Sequence, residues 1–195
     1  LVINPLFTDT AATATAGATT NNSPAAQFSG LSGASKALMR VGQLEPGQYA
    51  SPDEYKVWAY SACSAAAMTE VINAYGHNYR ITDILRVEIR VKAITPELGL
   101  LEPSGIDRTV SQFGFKTVWL KQPSLDDVIK IANDGRPVIV SWPPERWAGG
   151  HILVLRGGNA QNVYLADSSK LNYQVMSRAR FSQLWAGFSV VVVPK

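Results

Sequence analysis

The sequence changes from helical patterns to strand patterns near residue 135, and this order restricts the possible folds more than any other feature. Before that point apolar residues recur at helical spacing. After it they form short apolar runs that are bounded by turn residues. Helices followed by an antiparallel sheet are typical of the α+β class, whereas a doubly wound sheet would alternate the two elements. We therefore predict an α+β domain.

The helical part contains clear start and stop signals. Ser51-Pro52-Asp53-Glu54 combines a Ser cap, Pro at the first helical position and Glu three residues after the cap. A second helix is predicted from about Ala62 to Tyr75 and ends at Gly76. Its run of small residues allows close approach to another backbone, so we expect it to be the central buried helix. Further helices are predicted over 82–92, 104–113 and 124–134.

The strand part begins after Pro137. Gly157-Gly158-Asn159 separates two of its apolar runs and predicts a hairpin turn. Strands are predicted over 138–142, 152–156, 162–166, 173–176 and 189–193, with a short helix over 178–185.

The first 30 residues differ from the rest in composition. Residues 8–23 are nearly all Ala, Thr, Gly and Asn, without a periodic apolar face. Such a stretch buries too little apolar surface to offset the entropy of ordering. We predict a linker or N-terminal arm over 1–30 and one folded domain over 31–195. Because Ala/Thr linkers often tether exported bacterial domains, we expect a secreted or cell-envelope protein, with a cytoplasmic one left open.

Composition excludes several kinds of function. The net charge is only +3 and the basic residues are scattered, which argues against nucleic-acid binding. One Cys and two His exclude an intrachain disulfide and disfavour a metal site, so we expect neither metal nor cofactor. Since no run of 18 apolar residues occurs, we expect no membrane insertion within this chain.

The single cysteine, Cys63, stands at the predicted start of the central helix. Unpaired N–H groups and the helix dipole stabilise an anion there, which favours the reactive thiolate. The same N–H groups could stabilise an oxyanion that forms after nucleophilic attack. The alternative is a small, inert residue packed within an Ala-rich helix.

His151 and Asp167 flank two predicted strands that form a hairpin. His151 follows two glycines and begins one strand, and Asp167 ends the next. Both residues should then lie near one end of the sheet, where the carboxylate can accept the imidazole Nδ1–H. The alternatives are a partly buried His bonded to a carbonyl and an Asp that begins a turn. Taken with Cys63, the order predicts a Cys-His-Asp triad.

Several segments together resemble the bacteriocin-processing-peptidase-like family of papain-fold bacterial cysteine peptidases. The resemblance covers about residues 50–195. It rests on Ala62-Cys63-Ser64-Ala65-Ala66-Ala67-Met68 continuing to Tyr75-Gly76, Asp134-Gly135-Arg136-Pro137-Val138-Ile139-Val140, Gly150-His151-Ile152-Leu153-Val154-Leu155-Arg156-Gly157, Val163-Tyr164-Leu165-Ala166-Asp167 and Phe181-Ser182-Gln183-Leu184-Trp185-Ala186-Gly187.

This resemblance implies a papain-like fold with Cys63 as nucleophile, His151 as general base and acid, and Asp167 as the residue that orients His151. The sequence departs from the family pattern after the cysteine, where Ser64-Ala65 replaces the usual Gly-Pro. It also departs about six residues before the cysteine, where Val57 replaces the Gln that donates to the oxyanion. Candidate substitutes for that donor are Tyr60, Ser61 and Gln48.

The expected function is a peptidase or amidase that works through a thioester acyl-enzyme, and its partner would be a peptide or protein substrate. Trp142 and Trp147 lie in a rigid loop before His151 and are candidates for a wall of the substrate site. An acyl transferase on the same triad is chemically adjacent. A second alternative, which the missing Gln favours, is a catalytically impaired papain-like domain that binds a peptide or protein.

Overall fold

The computed structural model describes residues 38–195. Within this range six helices and eight strands occur, and most helices precede the main sheet, which confirms the α+β prediction. The helices are α1 (Pro52–Trp58), α2 (Cys63–Asn73), α3 (Ile81–Arg90), α4 (Ser104–Val110), α5 (Leu125–Asn133) and α6 (Arg178–Leu184). The strands are β1 (Ile94–Thr95), β2 (Gly99–Leu100), β3 (Phe115–Trp119), β4 (Val138–Trp142), β5 (His151–Gly158), β6 (Asn162–Ala166), β7 (Val175–Ser177) and β8 (Ser189–Pro194).

Local sequence sets where several helices begin. The Ser51 hydroxyl accepts a hydrogen bond from the Glu54 N–H at 3.1 Å, with Pro at the first helical position of α1. At the start of α5, Ser124 and Asp127 bond each other's backbone N–H groups at 3.1 and 3.0 Å. Gly76, with φ of +97°, follows α2 and has the left-handed conformation that glycine adopts without strain. These predicted helix limits therefore agree with the structure to within a few residues.

The main sheet has six antiparallel strands in the order β3-β8-β4-β5-β6-β7. The last strand of the chain, β8, lies inside the sheet. Val191 of β8 is opposite Val118 of β3 on one side and opposite Val138 of β4 on the other. The sheet is therefore complete only when the C-terminal residues are in place.

Both faces of the sheet are covered. Ile139 and Val154 pack with α2 on one face, whereas Val138 and Val140 pack with α5 on the other. This two-sided burial explains the continuous apolar run in β4, since a sheet with one solvated face would show alternation. Ala65, Ala66 and Ala67 of α2 are at most 1% exposed. The central position predicted for this helix is thus confirmed.

The structure contains two features that we did not predict, the strand β3 and the β1–β2 hairpin, and its strand β7 is shorter than predicted. The edge strand β3 carries Lys116 and Thr117 between its apolar residues, and the β1–β2 hairpin pairs only two residues on each side. β7 begins at Val175 because the preceding Tyr173 donates its N–H to the Asp167 carboxylate at 2.9 Å instead of to a neighbouring strand.

The predicted arm over 1–30 and the predicted domain start at residue 31 lie outside the described residues. Among residues 38–195, no helix combines the length and the apolar character that crossing a membrane requires.

Candidate active site

Cys63 is the first residue of α2 and is partly exposed. The preceding Ala62 offers no side chain to cap the helix, and the Ala66 N–H forms a 2.9 Å bond to the Ala62 carbonyl. The N–H groups of the first turn therefore have no partner within the helix. Cys63 borders a cleft of about 540 Å³, so the thiol is accessible to a substrate as well as close to the positive end of the helix dipole.

His151 and Asp167 meet at one end of the sheet. His151 is the first residue of β5, and Asp167 directly follows β6, which pairs with β5. The His151 Nε2–H donates to Asp167 Oδ1 at 2.7 Å, and both side chains are buried. We expected the Nδ1–H to make this bond, but Nε2 makes it. Nδ1 is therefore the ring nitrogen that this bond leaves free.

Four hydrogen bonds hold the Asp167 carboxylate. Besides His151, the donors are the Ser169 N–H at 2.9 Å, the Ser169 hydroxyl at 2.8 Å and the Tyr173 N–H at 2.9 Å. Burial by itself would raise the pKa of Asp167, but the bonds from His151, Tyr173 and Ser169 outweigh burial and lower the pKa to about 2. Asp167 is therefore an anion throughout the neutral pH range.

The environment of His151 favours its protonated form. Burial by itself would lower the pKa of the imidazole. The hydrogen bond with the Asp167 anion and the interaction with the Cys63 side chain outweigh burial and raise the pKa of His151 to about 9. An imidazolium between a carboxylate and a thiol is the arrangement that stabilises a thiolate.

Gln43, which the sequence analysis did not single out, borders the same cleft as Cys63 and His151. Its side chain is buried, and its Nε2 donates to the Ala59 carbonyl at 2.9 Å. The Ser168 hydroxyl donates to Gln43 Oε1 at 2.8 Å. These two bonds leave one Nε2 proton without a partner among the described residues. The amide group can therefore donate a hydrogen bond into the cleft.

The spacing of Gln43 explains why it was missed. It precedes Cys63 by 20 residues, whereas the family pattern had led us to inspect the position six residues before the cysteine. Val57, which occupies that position, lies in α1 and is 53% exposed. The one local signal for Gln43 is a polar residue between Val41 and Leu44.

Hydrogen bonds from Arg40 connect the segment that contains Gln43 to the loop that contains Asp167. Its guanidinium donates to the Asp167 carbonyl at 2.5 Å, the Ser168 carbonyl at 3.3 Å and the Ser169 carbonyl at 2.9 Å. The Gln43 N–H also donates to the Ser168 carbonyl at 2.8 Å. The two segments, more than 120 residues apart in sequence, thus form one hydrogen-bonded unit.

The three predicted oxyanion donors occupy different places. Tyr60 and Ser61 border the cleft, but Tyr60 is 85% exposed and the Ser61 hydroxyl gives its proton to the Trp58 carbonyl at 3.2 Å. Gln48 is not brought to the site. Its Oε1 accepts the Ile81 N–H at 3.2 Å and so caps the start of α3.

The two predicted wall residues do not offer their rings to the cleft. Trp142 borders the cleft yet is fully buried, with its ring packed 4.9 Å from Trp147 and 5.8 Å from His151 between ring centroids. Trp147 packs against Trp142 and Tyr173 and does not line the cleft. Because Trp142 has its side chain in the core, it supports His151 from behind. The walls are formed instead by Pro143 and Pro144 and by the segment 96–103.

A buried carboxyl group lies behind the cysteine. Glu88 of α3 is fully buried, and its Oε1 accepts the Ser64 hydroxyl at 2.6 Å. Its second oxygen has no partner within residues 38–195. Burial raises the pKa of Glu88 to about 8 and outweighs the lowering effect of Ser64, so this side chain is neutral at pH 7.

Within residues 38–195, no group of three or more His, Cys, Asp or Glu side chains is arranged to hold a metal ion.

An antiparallel sheet with a cysteine-bearing helix packed on it is the architecture of the papain-like cysteine peptidases, and comparison with known proteins supports this class. The chain belongs to the Peptidase C39 family, whose sequence profile matches residues 59–195. The resemblance seen in the sequence is therefore confirmed. No curated protein matches the chain.

Two solved structures share the fold. The peptidase domain of Streptococcus ComA, a bifunctional ABC transporter involved in a quorum-sensing pathway, is 20% identical, with a TM-score of 0.60. The match covers 81% of this chain and 99% of that domain. A Bacillus anthracis protein described as a C39-like peptidase is 13% identical, with a TM-score of 0.55 and coverage of 84% and 97%. The papain-like fold predicted from the sequence is thus confirmed.

Proposed function

We propose that this protein is a cysteine peptidase in which Cys63 is the nucleophile, His151 the general acid and base, and Asp167 the residue that orients His151. The observation that carries the proposal is the 2.7 Å bond between His151 Nε2 and Asp167 Oδ1. It leaves Nδ1 for the Cys63 thiol at the edge of an open cleft. We would not expect the Cys63 thiol, the His151 imidazole and the Asp167 carboxylate to have this arrangement by chance.

In the first half of the reaction, the Cys63 thiolate attacks the carbonyl carbon of a peptide bond. A carbon–sulfur bond forms and the carbonyl electrons move to oxygen. The His151 imidazolium then gives its Nδ1 proton to the leaving amine as the carbon–nitrogen bond breaks. A thioester between substrate and Cys63 remains.

In the second half, neutral His151 takes a proton from water through Nδ1, and the resulting hydroxide attacks the thioester. The carbon–sulfur bond breaks and returns the thiolate, the acid product leaves, and His151 keeps the proton for the next cycle. Asp167 remains an anion in both halves and stabilises the imidazolium.

Gln43 is the oxyanion donor in this proposal, together with the N–H of Cys63. Gln43 and Cys63 both border the cleft, so the free Nε2 proton of Gln43 and the Cys63 N–H at the start of α2 are both available to the carbonyl oxygen of a peptide bound there. The binding-module alternative depended on a missing Gln, and with Gln43 as the proposed donor that reason no longer applies.

The test is hydrolysis of a panel of fluorogenic peptides by wild type, Cys63→Ala, Gln43→Ala and Gln48→Ala. We expect Cys63→Ala to lose all turnover and to melt at nearly the wild-type temperature, because a partly exposed thiol leaves only a small cavity. Gln43→Ala should lower kcat by about 100- to 1000-fold, the loss typical of one oxyanion donor.

Gln48→Ala is the matched control, since Gln48 is the same residue type outside the cleft. Its kcat should stay within about threefold of wild type. Acid quenching followed by mass spectrometry should show the acyl part of the substrate on Cys63. Turnover by Cys63→Ala equal to wild type would refute the nucleophile, and equal losses in both Gln variants would refute the role of Gln43.

A further inference from the structure

We infer that Ser168 is a positioning residue for catalysis, because it fixes the direction in which the Gln43 amide faces. This inference rests on the proposed function of Gln43. Ser168 immediately follows Asp167, so the residue that orients the oxyanion donor is the chain neighbour of the residue that orients His151.

The two ends of the Gln43 amide contact different partners. Nε2 donates to the Ala59 carbonyl at 2.9 Å, and Oε1 accepts from the Ser168 hydroxyl at 2.8 Å. A carbonyl can only accept and the Ser168 hydroxyl here donates, so the pair distinguishes the NH₂ end from the oxygen end. Ala59, Gln43 and Ser168 are all nearly fully buried, and no solvent competes for these bonds.

Ser168 is itself rigidly held. Its carbonyl accepts from the Gln43 N–H at 2.8 Å and from the Arg40 guanidinium at 3.3 Å. Backbone and side chain therefore join the same two segments. Without the hydroxyl, Gln43 Oε1 would be a buried acceptor with no donor, and the amide would be held only at its Nε2 end, by the Ala59 carbonyl.

The chain contains a matched control. Ser189, the first residue of β8, is as buried as Ser168, at 2% exposure each. Its hydroxyl has no hydrogen-bond partner among the described residues. Ser168→Ala and Ser189→Ala thus remove the same atom from equally buried sites, and only the first change removes a bond to Gln43.

The test compares both variants with wild type in two assays on the full chain. Peptide hydrolysis depends on the oxyanion site, whereas alkylation of Cys63 by iodoacetamide depends on the thiolate alone, because no tetrahedral oxyanion forms. We expect Ser168→Ala to lower kcat about 10- to 100-fold, less than full removal of a donor, with KM and the alkylation rate within about twofold of wild type. Ser189→Ala should leave all three values unchanged.

Two results would overturn the inference. One is a kcat for Ser168→Ala equal to that of Ser189→Ala. The other is an alkylation rate that falls as far as kcat, since the damage would then act through His151 and Asp167 rather than through Gln43.

A third measurement separates this inference from the proposed function. The side-chain amide signals of Gln43 in a ¹H–¹⁵N spectrum, assigned by their loss in Gln43→Ala, should shift in Ser168→Ala and stay in place in Ser189→Ala. If the wild type cleaves no peptide, the proposed function fails, and these signals still decide whether Ser168 orients the amide. Unchanged signals in Ser168→Ala would overturn the inference in either case.

Discussion

Replacing Asp167 by Asn changes one atom of the carboxylate and should alter both activity and stability. The wild-type side chain accepts four hydrogen bonds, two on each oxygen. If Asn keeps its oxygen toward His151 Nε2–H and Ser169 N–H, its NH₂ group faces the Tyr173 N–H. Two donors then oppose each other in a fully buried place.

The size of the stability loss follows from the pKa of Asp167, which the folded protein lowers from 3.8 to about 2. One pKa unit corresponds to about 1.4 kcal/mol, so the anion contributes about 2–3 kcal/mol at neutral pH. The facing donors in Asp167→Asn add to that loss. We expect the free energy of unfolding at pH 7 to fall by about 2–4 kcal/mol while the protein remains folded.

The loss should depend on pH in one direction. Because the folded-state pKa is depressed, the contribution of Asp167 is fully present above about pH 4 and disappears as the pH falls through about 2. Urea unfolding at pH 7, 4 and 2.5 should therefore show wild type and Asp167→Asn converging in stability toward the lowest pH. A difference that stays constant with pH would refute the argument that the ionised carboxylate stabilises the fold.

Activity should fall in parallel. An amide orients His151 only partly and does not compensate the imidazolium charge. We expect kcat/KM for Asp167→Asn to be about 10- to 1000-fold below wild type, measured on the same fluorogenic peptides. Wild-type activity in this variant would mean that His151 needs no orienting partner.

Two further predictions concern pH. Since the pKa of His151 is raised to about 9, its contribution to stability is complete below about pH 6.5 and is lost as the pH rises through 9. The kcat for peptide hydrolysis should therefore decline above pH 9. Iodoacetamide should alkylate Cys63 rapidly at pH 6 in wild type and slowly in His151→Ala. Burial raises the pKa of Glu88 from 4.5 to about 8, so the fully buried side chain takes up a proton on folding at neutral pH and destabilises the protein increasingly between about pH 4.5 and 8. The free energy of unfolding of Glu88→Gln should therefore exceed that of wild type by about 2–3 kcal/mol at pH 7 and should show no such excess at pH 4. An equal excess at pH 7 and pH 4 would contradict this assignment of charge.

The sequence predicted the elements whose formation depends on local signals. Ser51 and Ser124 cap their helices as expected, and the apolar run of β4 forms a buried strand. β3 was missed because its pairing depends on a distant partner, the strand β8. The β1–β2 hairpin was missed because only two residues pair on each side, too few to form a strand pattern. The arm predicted over 1–30 stays a prediction, as does the envelope location that rests on its composition.

For the site, the three residues predicted as a triad each stand at the start or end of a recognisable element. In the structure Cys63 and His151 border the cleft, and Asp167 is bonded to His151 in the interior. Gln43 lies in a segment without helix or strand pattern, so only its contacts with Ala59 and Ser168 reveal it. Trp142 borders the cleft, but the sequence did not show that its ring is buried. Its position in a strand is evident, but which face of a doubly covered sheet it occupies is decided by α6 and its neighbours.

The position of β8 inside the sheet has a consequence for how the protein is made. β4, β5 and β6 are consecutive hairpin partners that can pair early, whereas β3 reaches β4 only through β8. β8 is synthesised after the other five strands of this sheet, and long-range strand pairing of this kind forms late in folding. A growing chain that has reached β7 already contains Cys63, His151 and Asp167, yet it lacks the strand that completes the layer beneath α2. The three side chains should thus reach their final arrangement only once β8 has been made and has paired with β3 and β4.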